Sequence, residues 1–281
     1  MKADDFAFLC RLLYDRSGLV LGPDKVYLAE SRLGSVMRKY GVDSLEAMVG
    51  RLRSGNEEAL QTDVIDAMMT NESFFFRDVI PFDQFRQFVL PRLMPARAAR
   101  KVIRIWSAAC STGQEPYSLA MMLKEDAAKY SGWKFEIFAT DISAEALERA
   151  KSGLYTQFEV QRGLPIQLLV KYLKQEGDRW RIVPEIRAAV QFQSFNLLAD
   201  PFGFGVFDVV FCRNVLLYFD NKTKSGVLGR IGKVLAGDGI LYLGGAETVL
   251  GITDRFSPVR GYRGLYEIAG ASSALRKAVG G

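Results

Sequence analysis

The sequence predicts an α/β protein: a doubly wound, largely parallel Rossmann-like sheet with a small β insertion, preceded by an all-α N-terminal domain. Three observations predict it. Residues 1–90 repeat apolar positions at helical spacing, residues from 101 onward alternate strand-length apolar runs with helical stretches, and a proline-rich basic segment, PRLMPARAARK, separates the two.

The helical part resolves into four helices. DDFAFLCRLLYDRSG spaces Phe6, Leu9, Leu12 and Leu13 along one face and stops at Gly18; DKVYLAESRLGSVMRKYG does the same with Val26, Leu33, Val36 and Met37 and stops at Gly41. A third follows Asp43-Ser44 as LEAMVGRLRSG, and a fourth spans about Glu57 to Met69 before the unusual run MTNESFFFRD. The triple Phe74, Phe75, Phe76 reads as packing between domains rather than a stacking platform. Beyond the segment 91–100, expected to be a linker, VIRIWSAA and KFEIFATDI read as strands around a helix in PYSLAMMLKEDAAKY. FDVVFCRN and GILYLGG repeat the pattern around TKSGVLGRIGKVL. Strand, helix, strand in that order requires parallel strands joined by right-handed crossovers. One stretch, about 155–193, breaks the alternation: LPIQLLVKYL reads as a helix and GDRWRIVPEI as a hairpin, a small insertion on the ligand side of the sheet. The expected division is therefore 1–90 helical, 91–100 linker and 101–270 Rossmann-like, with 271–281 a flexible tail of disordered composition.

Composition removes whole classes of chemistry. The chain of 281 residues has no histidine, which excludes Ser-His and Cys-His triads and any imidazole base. Its three cysteines, Cys10, Cys110 and Cys212, lie far apart in apolar runs and read as reduced structural thiols, with no metal site implied. No apolar run is long enough to cross a membrane and the N-terminus lacks a signal-peptide core, so a cytoplasmic protein is expected. Net charge is +5, unevenly placed: Arg86 to Arg104 carries six basic residues and no acid, Lys25 to Arg53 six against three. Either stretch is a solvated surface or a face for an acidic partner.

The loop SAACSTGQEP after the first strand stands where a nucleotide-binding loop belongs, yet keeps only Gly113 of the glycines such a loop uses. Only that position takes positive φ without strain. Glu115 opens the following helix and would repel a pyrophosphate, so it suits a ligand without phosphates and with positive charge. Asp141 ends the second strand, where it is either a cap for the next helix or an acceptor for both hydroxyls of a ribose. Adenosine with a cationic tail and no phosphate is S-adenosylmethionine. Arg213 and Asn214, polar inside the apolar run CRNVLLYFD, either face that ligand or are satisfied turn residues; Asn196, after QFQSF, is open to the same two readings, beside the adenine in the first.

Five motifs in series, TNESFFFRD, WSAACSTGQEPYSLAM, ATDISAEALERAKSGLY, FNLL and FDVVFCRNVLLYFD, resemble the chemotaxis receptor methyltransferases, the CheR family, over residues 5–268. The resemblance implies an S-adenosylmethionine-dependent methyltransferase that esterifies glutamate side chains on the helical cytoplasmic region of chemoreceptors, with S-adenosylhomocysteine as product. Carried over by motif position, the cofactor contacts are Asn71, Ser73, Arg77, Glu115, Asp141, Asn196, Leu197, Arg213 and Asn214. It also implies that the insertion is three-stranded and contacts receptors.

Methyl transfer to a carboxylate accounts for a chain without imidazole, because a glutamate of ordinary pKa is already ionised at neutral pH. The catalytic candidates are Arg77 and Tyr218, which orient the substrate carboxylate; as structural residues they would be a salt bridge to Asp78 or Glu72 and a buried phenol. Two departures from the family stand out: Ser73 replaces a usual threonine, and GGAE at 244–247 replaces GHSE, which argues against any role for that loop but not against the cofactor site. Arg32, Arg38 and Lys39 form the expected docking face. The short turn KQEGDRW predicts direct docking without a tether to a receptor tail, and the chain is expected to be a monomer with no nucleic-acid partner. The alternatives are a methyltransferase for another carboxylate or for nucleic acid, and a module that binds S-adenosylmethionine without turnover.

Overall fold

The structure is a computed structural model and describes residues 1–270; the tail expected at 271–281 lies outside the described residues. Helices α1 (Ala3–Ser17), α2 (Val26–Arg32), α3 (Gly34–Tyr40), α4 (Leu45–Arg53) and α5 (Glu58–Met68) form the N-terminal bundle. Their apolar faces meet in one core that includes Phe6, Leu9, Leu13, Leu33, Met48 and Leu60. The expected single second helix is two, because Leu33 flattens to ψ −5° ahead of Gly34, a weak helix former.

The segment expected to be a linker is instead helical and packed. After the TNESFFFRD run, α6 (Ile80–Gln84) passes through a π turn, Phe85–Val89, into α7 (Leu90–Leu93), and a 3-10 turn, Pro95–Arg97, follows. Pro91 has no N–H to donate and comes directly after that turn, whose last bond runs from Leu90 N–H to Phe85 O. Phe82, Phe85, Val89, Leu90 and Leu93 are buried in the same core as Phe75 and the sheet residues Ile103, Ile105 and Phe211. Apolar spacing across the two prolines, read as a break, continues a buried helical face.

The chain then alternates: β1 (Val102–Ala108), α8 (Gln114–Glu125), β2 (Lys134–Asp141) and α9 (Ala144–Ser152). The insertion follows as β3 (Leu154–Thr156), α10 (Gln157–Gln161), α11 (Ile166–Tyr172), β4 (Leu173–Glu176), β5 (Arg179–Ile182) and α12 (Pro184–Ala188). Its three strands pair antiparallel in the order β3-β5-β4. Residues 190–193, expected within the insertion, belong instead to β6 (Val190–Ser194), which pairs parallel with β2 from Ile137↔Val190 to Asp141↔Ser194. β7 (Phe207–Cys212), α13 (Asn221–Val234), β8 (Leu235–Leu243), β9 (Phe256–Pro258) and β10 (Leu265–Ile268) complete the chain.

The main sheet has seven strands in the order β6-β2-β1-β7-β8-β10-β9. The first five are parallel and β10 runs antiparallel to both neighbours. Chain order reverses between β1 and β7, and the register Ala139↔Ser107↔Phe211 brings their carboxyl ends level. A crevice therefore opens above that point, where ligands of doubly wound sheets bind. The helical bundle lies over it: Asn196 Nδ2 donates to Arg16 O (2.7 Å), Tyr14 Oη to Asp220 Oδ2 (3.0 Å) and Val20 N–H to Tyr218 O (2.9 Å). Among the described residues no helix is long and apolar enough to cross a membrane.

Candidate active site

The crevice is a cavity of about 960 Å³, counting its open mouth, between the bundle and the carboxyl ends of the strands. Asn71, Ser73, Arg77, Glu115, Asp141, Asn196, Leu197, Arg213, Asn214 and Tyr218 all line it. They come from five places in the chain: the run after α5, the start of α8, the end of β2, and the segments after β6 and after β7. Only the fold brings these together.

The loop after β1 departs from its expected conformation. Ala109 (φ 61°) and Ser111 (φ 52°) join Gly113 (φ 93°) in the left-handed region, so three positions rather than one take positive φ. Each non-glycine costs roughly 1–2 kcal/mol. Hydrogen bonds hold the loop there: Ser111 N–H donates to Asp141 Oδ2 (2.7 Å), Ser111 Oγ to Asn71 O (2.9 Å), and Tyr155 Oη of the insertion to Thr112 O (2.7 Å). Phe76, Asp78, Val79 and Asn214 also have positive φ, which leaves Lys101 alone among the seven such non-glycine residues, of those described, away from the cavity and the run 71–79 that edges it. Strain of this kind persists where the surroundings over-determine the backbone.

Asp141 caps and buckles at once. Its Oδ1 accepts Ser143 N–H (2.9 Å) at the start of α9, and its Oδ2 accepts from the β1 loop. Burial pushes its carboxyl above the ordinary aspartate value, with those two N–H donors opposing the rise. Each oxygen retains a lone pair for a further donor. Glu115 accepts from Ser107 Oγ and from Arg213 Nη1, both at 2.8 Å. The acid that reads in sequence as free for a cation is therefore paired. Arg213, its side chain 1% exposed, also donates from Nη2 to Asp78 Oδ2 (2.7 Å) and Arg77 O (2.9 Å). Two carboxylates around one guanidinium leave an excess of negative charge beside the cavity.

Arg77 itself forms neither salt bridge considered for it: Asp78 pairs with Arg213 and Glu72 with Arg162 (2.6 Å), while Arg77 Nη1 donates to Glu72 O (3.0 Å) and the guanidinium lies 5.3 Å from the Phe74 ring centre. Asn196 Oδ1 accepts Leu198 N–H (2.9 Å) as its Nδ2 reaches the bundle. Asn71 Nδ2 approaches Ser143 Oγ at 3.4 Å. The phenylalanine triple splits: Phe75 is buried edge-on to Tyr155, Phe76 packs on Phe82, and Phe74 lies under Arg162, with 4.4 Å between guanidinium and ring centre. Cys110 and Cys212 are buried thiols held protonated by desolvation, and no disulfide joins the three cysteines.

Four residues at or beside the site were not assigned to it from the sequence. Asp78 had no signal beyond its place after Arg77. Ser17 and Leu19 reach the cavity from the end of α1, far away in sequence. Glu247 accepts N–H bonds from Gly244 (2.6 Å), Asn214 (2.8 Å) and Leu217 (3.3 Å); an acid after an apolar strand was its one sequence signal. Among the described residues no group of three or more acids or cysteines converges as a metal site.

A doubly wound sheet with a reversed strand near one edge, and a cavity at its switch point that meets its ligand with carboxylates rather than a phosphate-binding glycine array, defines a Rossmann-like methyltransferase. The model for the CheR methyltransferase SAM binding domain matches residues 71–265, and that for the CheR methyltransferase all-alpha domain matches residues 4–69. The chain is 39% identical over 260 residues to the chemotaxis protein methyltransferase Cher2 of Pseudomonas putida, covering 91% of this chain and 94% of that one. It is 41% identical to chemotaxis protein methyltransferase 1 of Pseudomonas aeruginosa over the same shares, and 33% identical to the chemotaxis protein methyltransferase of Escherichia coli, covering 90% and 87%. The chain belongs to the CheR methyltransferase family.

Proposed function

We propose that this enzyme transfers a methyl group from S-adenosylmethionine to glutamate side chains on the helical cytoplasmic region of chemoreceptors, leaving glutamate methyl esters and S-adenosylhomocysteine. The observation that carries this reading is the convergence of every candidate site residue on one cavity beneath the bundle. The residues present fit such a cofactor. Glu115 at the start of α8 disfavours a pyrophosphate, the Glu115–Arg213–Asp78 cluster favours a cation, and Asn214 Oδ1 is buried with no partner from the protein. In the proposed arrangement Asp141 takes the ribose hydroxyls, Asn196 and Leu197 flank the adenine, and Glu115, Arg213, Asn214, Asn71, Ser73 and Arg77 surround the methionine portion.

When bound, the cofactor supplies a methyl group on a positively charged sulfur whose leaving group is a neutral thioether. The protein has no proton to move, because the glutamate nucleophile is ionised well above its usual pKa of about 4.3. Transfer converts a cation and an anion into two neutral products. Strong stabilisation of either charge would hold the ground state back more than the transition state. Arg213 tempers Glu115 in that sense, and Arg77 and the Tyr218 hydroxyl act on the substrate carboxylate by placing it in line, an effect worth up to roughly 7–11 kcal/mol.

Partner docking is proposed on α2 and α3. Arg38 is exposed there, while Lys39 is paired with Asp63 (2.5 Å) and Arg32 donates to Met68 O (2.7 Å). The other basic stretch disfavours a nucleic-acid substrate, since most of its charge is paired with acids: Arg92 with Glu267, Arg97 with Asp208 and Asp238, Arg100 with Asp208 and Arg104 with Glu136. Incubation with methyl-labelled cofactor and receptor-rich membranes is expected to place base-labile label on the receptors. Label on nucleic acid, or none on receptors, rejects the reading.

A further inference from the structure

Residues 244–247, GGAE, lack the histidine and serine of their relatives' motif and have no part in the chemistry above. Their glutamate nevertheless makes three side-chain hydrogen bonds beside the cavity, as many as Arg213. Glu247 is buried, and Oε2 accepts the N–H groups of Gly244 (2.6 Å) and Asn214 (2.8 Å), while Oε1 accepts that of Leu217 (3.3 Å). A turn closes around it, with its own N–H donating to Gly244 O (2.9 Å). Two of the three donors belong to the turn 213–218, which carries Arg213, Asn214 and Tyr218 into the cavity.

That turn needs holding. Asn214 adopts φ 61° although it is not glycine, and its Oδ1 is buried with no protein partner. Its side-chain amide lies against Gly244, where an added Cβ would come within 2.6 Å of Asn214 Nδ2 and 2.8 Å of Glu247 Oε2. A glycine there leaves room for amide and carboxylate side by side. A carboxylate receiving several N–H bonds gives a stiffer anchor than neutral pairs would.

We propose that Glu247 is a positioning residue for methyl transfer, holding the turn 213–218 so that Asn214 and Tyr218 present their side chains to the cavity. The inference rests on the methyltransferase reading above. In the full-length enzyme, E247Q retains the volume but sets an N–H₂ against at least one of the three donors. G244A keeps the carboxylate and pushes amide and anchor apart. Both are expected to lower kcat/KM for receptor methylation by about tenfold or more while the thermal midpoint stays above the assay temperature. In a background already carrying N214A and Y218F, adding E247Q is expected to cost less than about threefold, because its route of action is gone. Wild-type kcat/KM in both single variants overturns the proposal, as does a full tenfold loss repeated in the N214A/Y218F background. If E247Q fails to fold, G244A alone decides. Transfer by the wild type is measured first: its absence rejects the assigned reaction, whereas wild-type transfer with unaffected variants rejects only the role of Glu247.

Discussion

Asp141 has two backbone donors and a desolvated carboxylate, and the two properties act in opposite directions on its proton. In the proposed role it accepts from ribose, which favours the anion. Burial holds the proton on the free enzyme to a higher pH than an ordinary aspartate. The bound state thus prefers the ionised form, and affinity for S-adenosylhomocysteine is full above the raised pKa and falls as pH drops through it. Calorimetry across the acid range is expected to show that loss in the wild type and a flatter profile in Asp141→Asn. Asp141→Ala is expected to abolish measurable binding, because it removes the ribose acceptor and also frees Ser111 N–H and Ser143 N–H; retained affinity would show that the ribose lies elsewhere. Glu115 shows why residue type alone misleads at this scale. Its acid was legible, but its partner Arg213 lies 98 positions away.

The run 71–79 behaves as a strap tied at several points. Arg213 holds its far end through Arg77 O and Asp78, Ser118 Oγ accepts Phe76 N–H (2.9 Å), and Ser111 Oγ donates to Asn71 O. The insertion adds a further tie through the Arg162–Glu72 pair and through Gly163, where φ is 86° and an added Cβ would come within 2.1 Å of Phe75 O. Gly163→Ala must therefore push the insertion off the strap. Overpacking and left-handed strain together are expected to destabilise by about 3 kcal/mol. Thermal unfolding reads the stability, and methyl transfer is expected to fall alongside, since the strap carries Asn71, Ser73 and Arg77. Unchanged activity per folded enzyme would show the strap to be independent of the insertion.

Across the whole molecule, Arg97 joins the helix before the sheet to two strands. Its Nε donates to Asp208 (2.7 Å) in β7 and its terminal nitrogens to Asp238 (2.7 and 2.5 Å) in β8. Arg97→Ala leaves Asp208 buried with Arg100 and the Arg104 N–H but strips Asp238 of its partner. Breaking a pair whose guanidinium is buried and whose Asp238 side chain is 27% exposed is expected to cost about 2 kcal/mol, seen as a lower urea midpoint. Arg97 holds the Asp238 carboxyl below its usual value, so the pair's contribution is present above the unfolded aspartate pKa and is lost as pH falls through the depressed folded one. The variant should accordingly lose less stability than the wild type on acidification in that range. Docking belongs to this scale too. The β4–β5 turn is short, and a receptor C-terminal peptide is expected to show no binding in calorimetry; micromolar affinity would restore a tethered mode.

Periodicity, spacing and residue types determined the two kinds of domain, the parallel strands and the cofactor class; the glutamate nucleophile came from the family that the five motifs resemble, and the missing histidine agrees with it. These depend on local chain chemistry: 3.6- and 2-residue repeats, and the residue types available to bind or react. The prolines at 91 and 95 misled because a local signal for breaking a helix says nothing of the apolar sheet waiting for its face. Only the tertiary structure decided that Glu115 is neutralised by Arg213, that Arg77 is tied to a carbonyl, that most of the basic run is paired with acids and that Glu247 accepts from the Asn214 turn. Each is a pairing between groups far apart in the chain, and electrostatic and hydrogen-bond energies depend on distance and burial that no single segment contains.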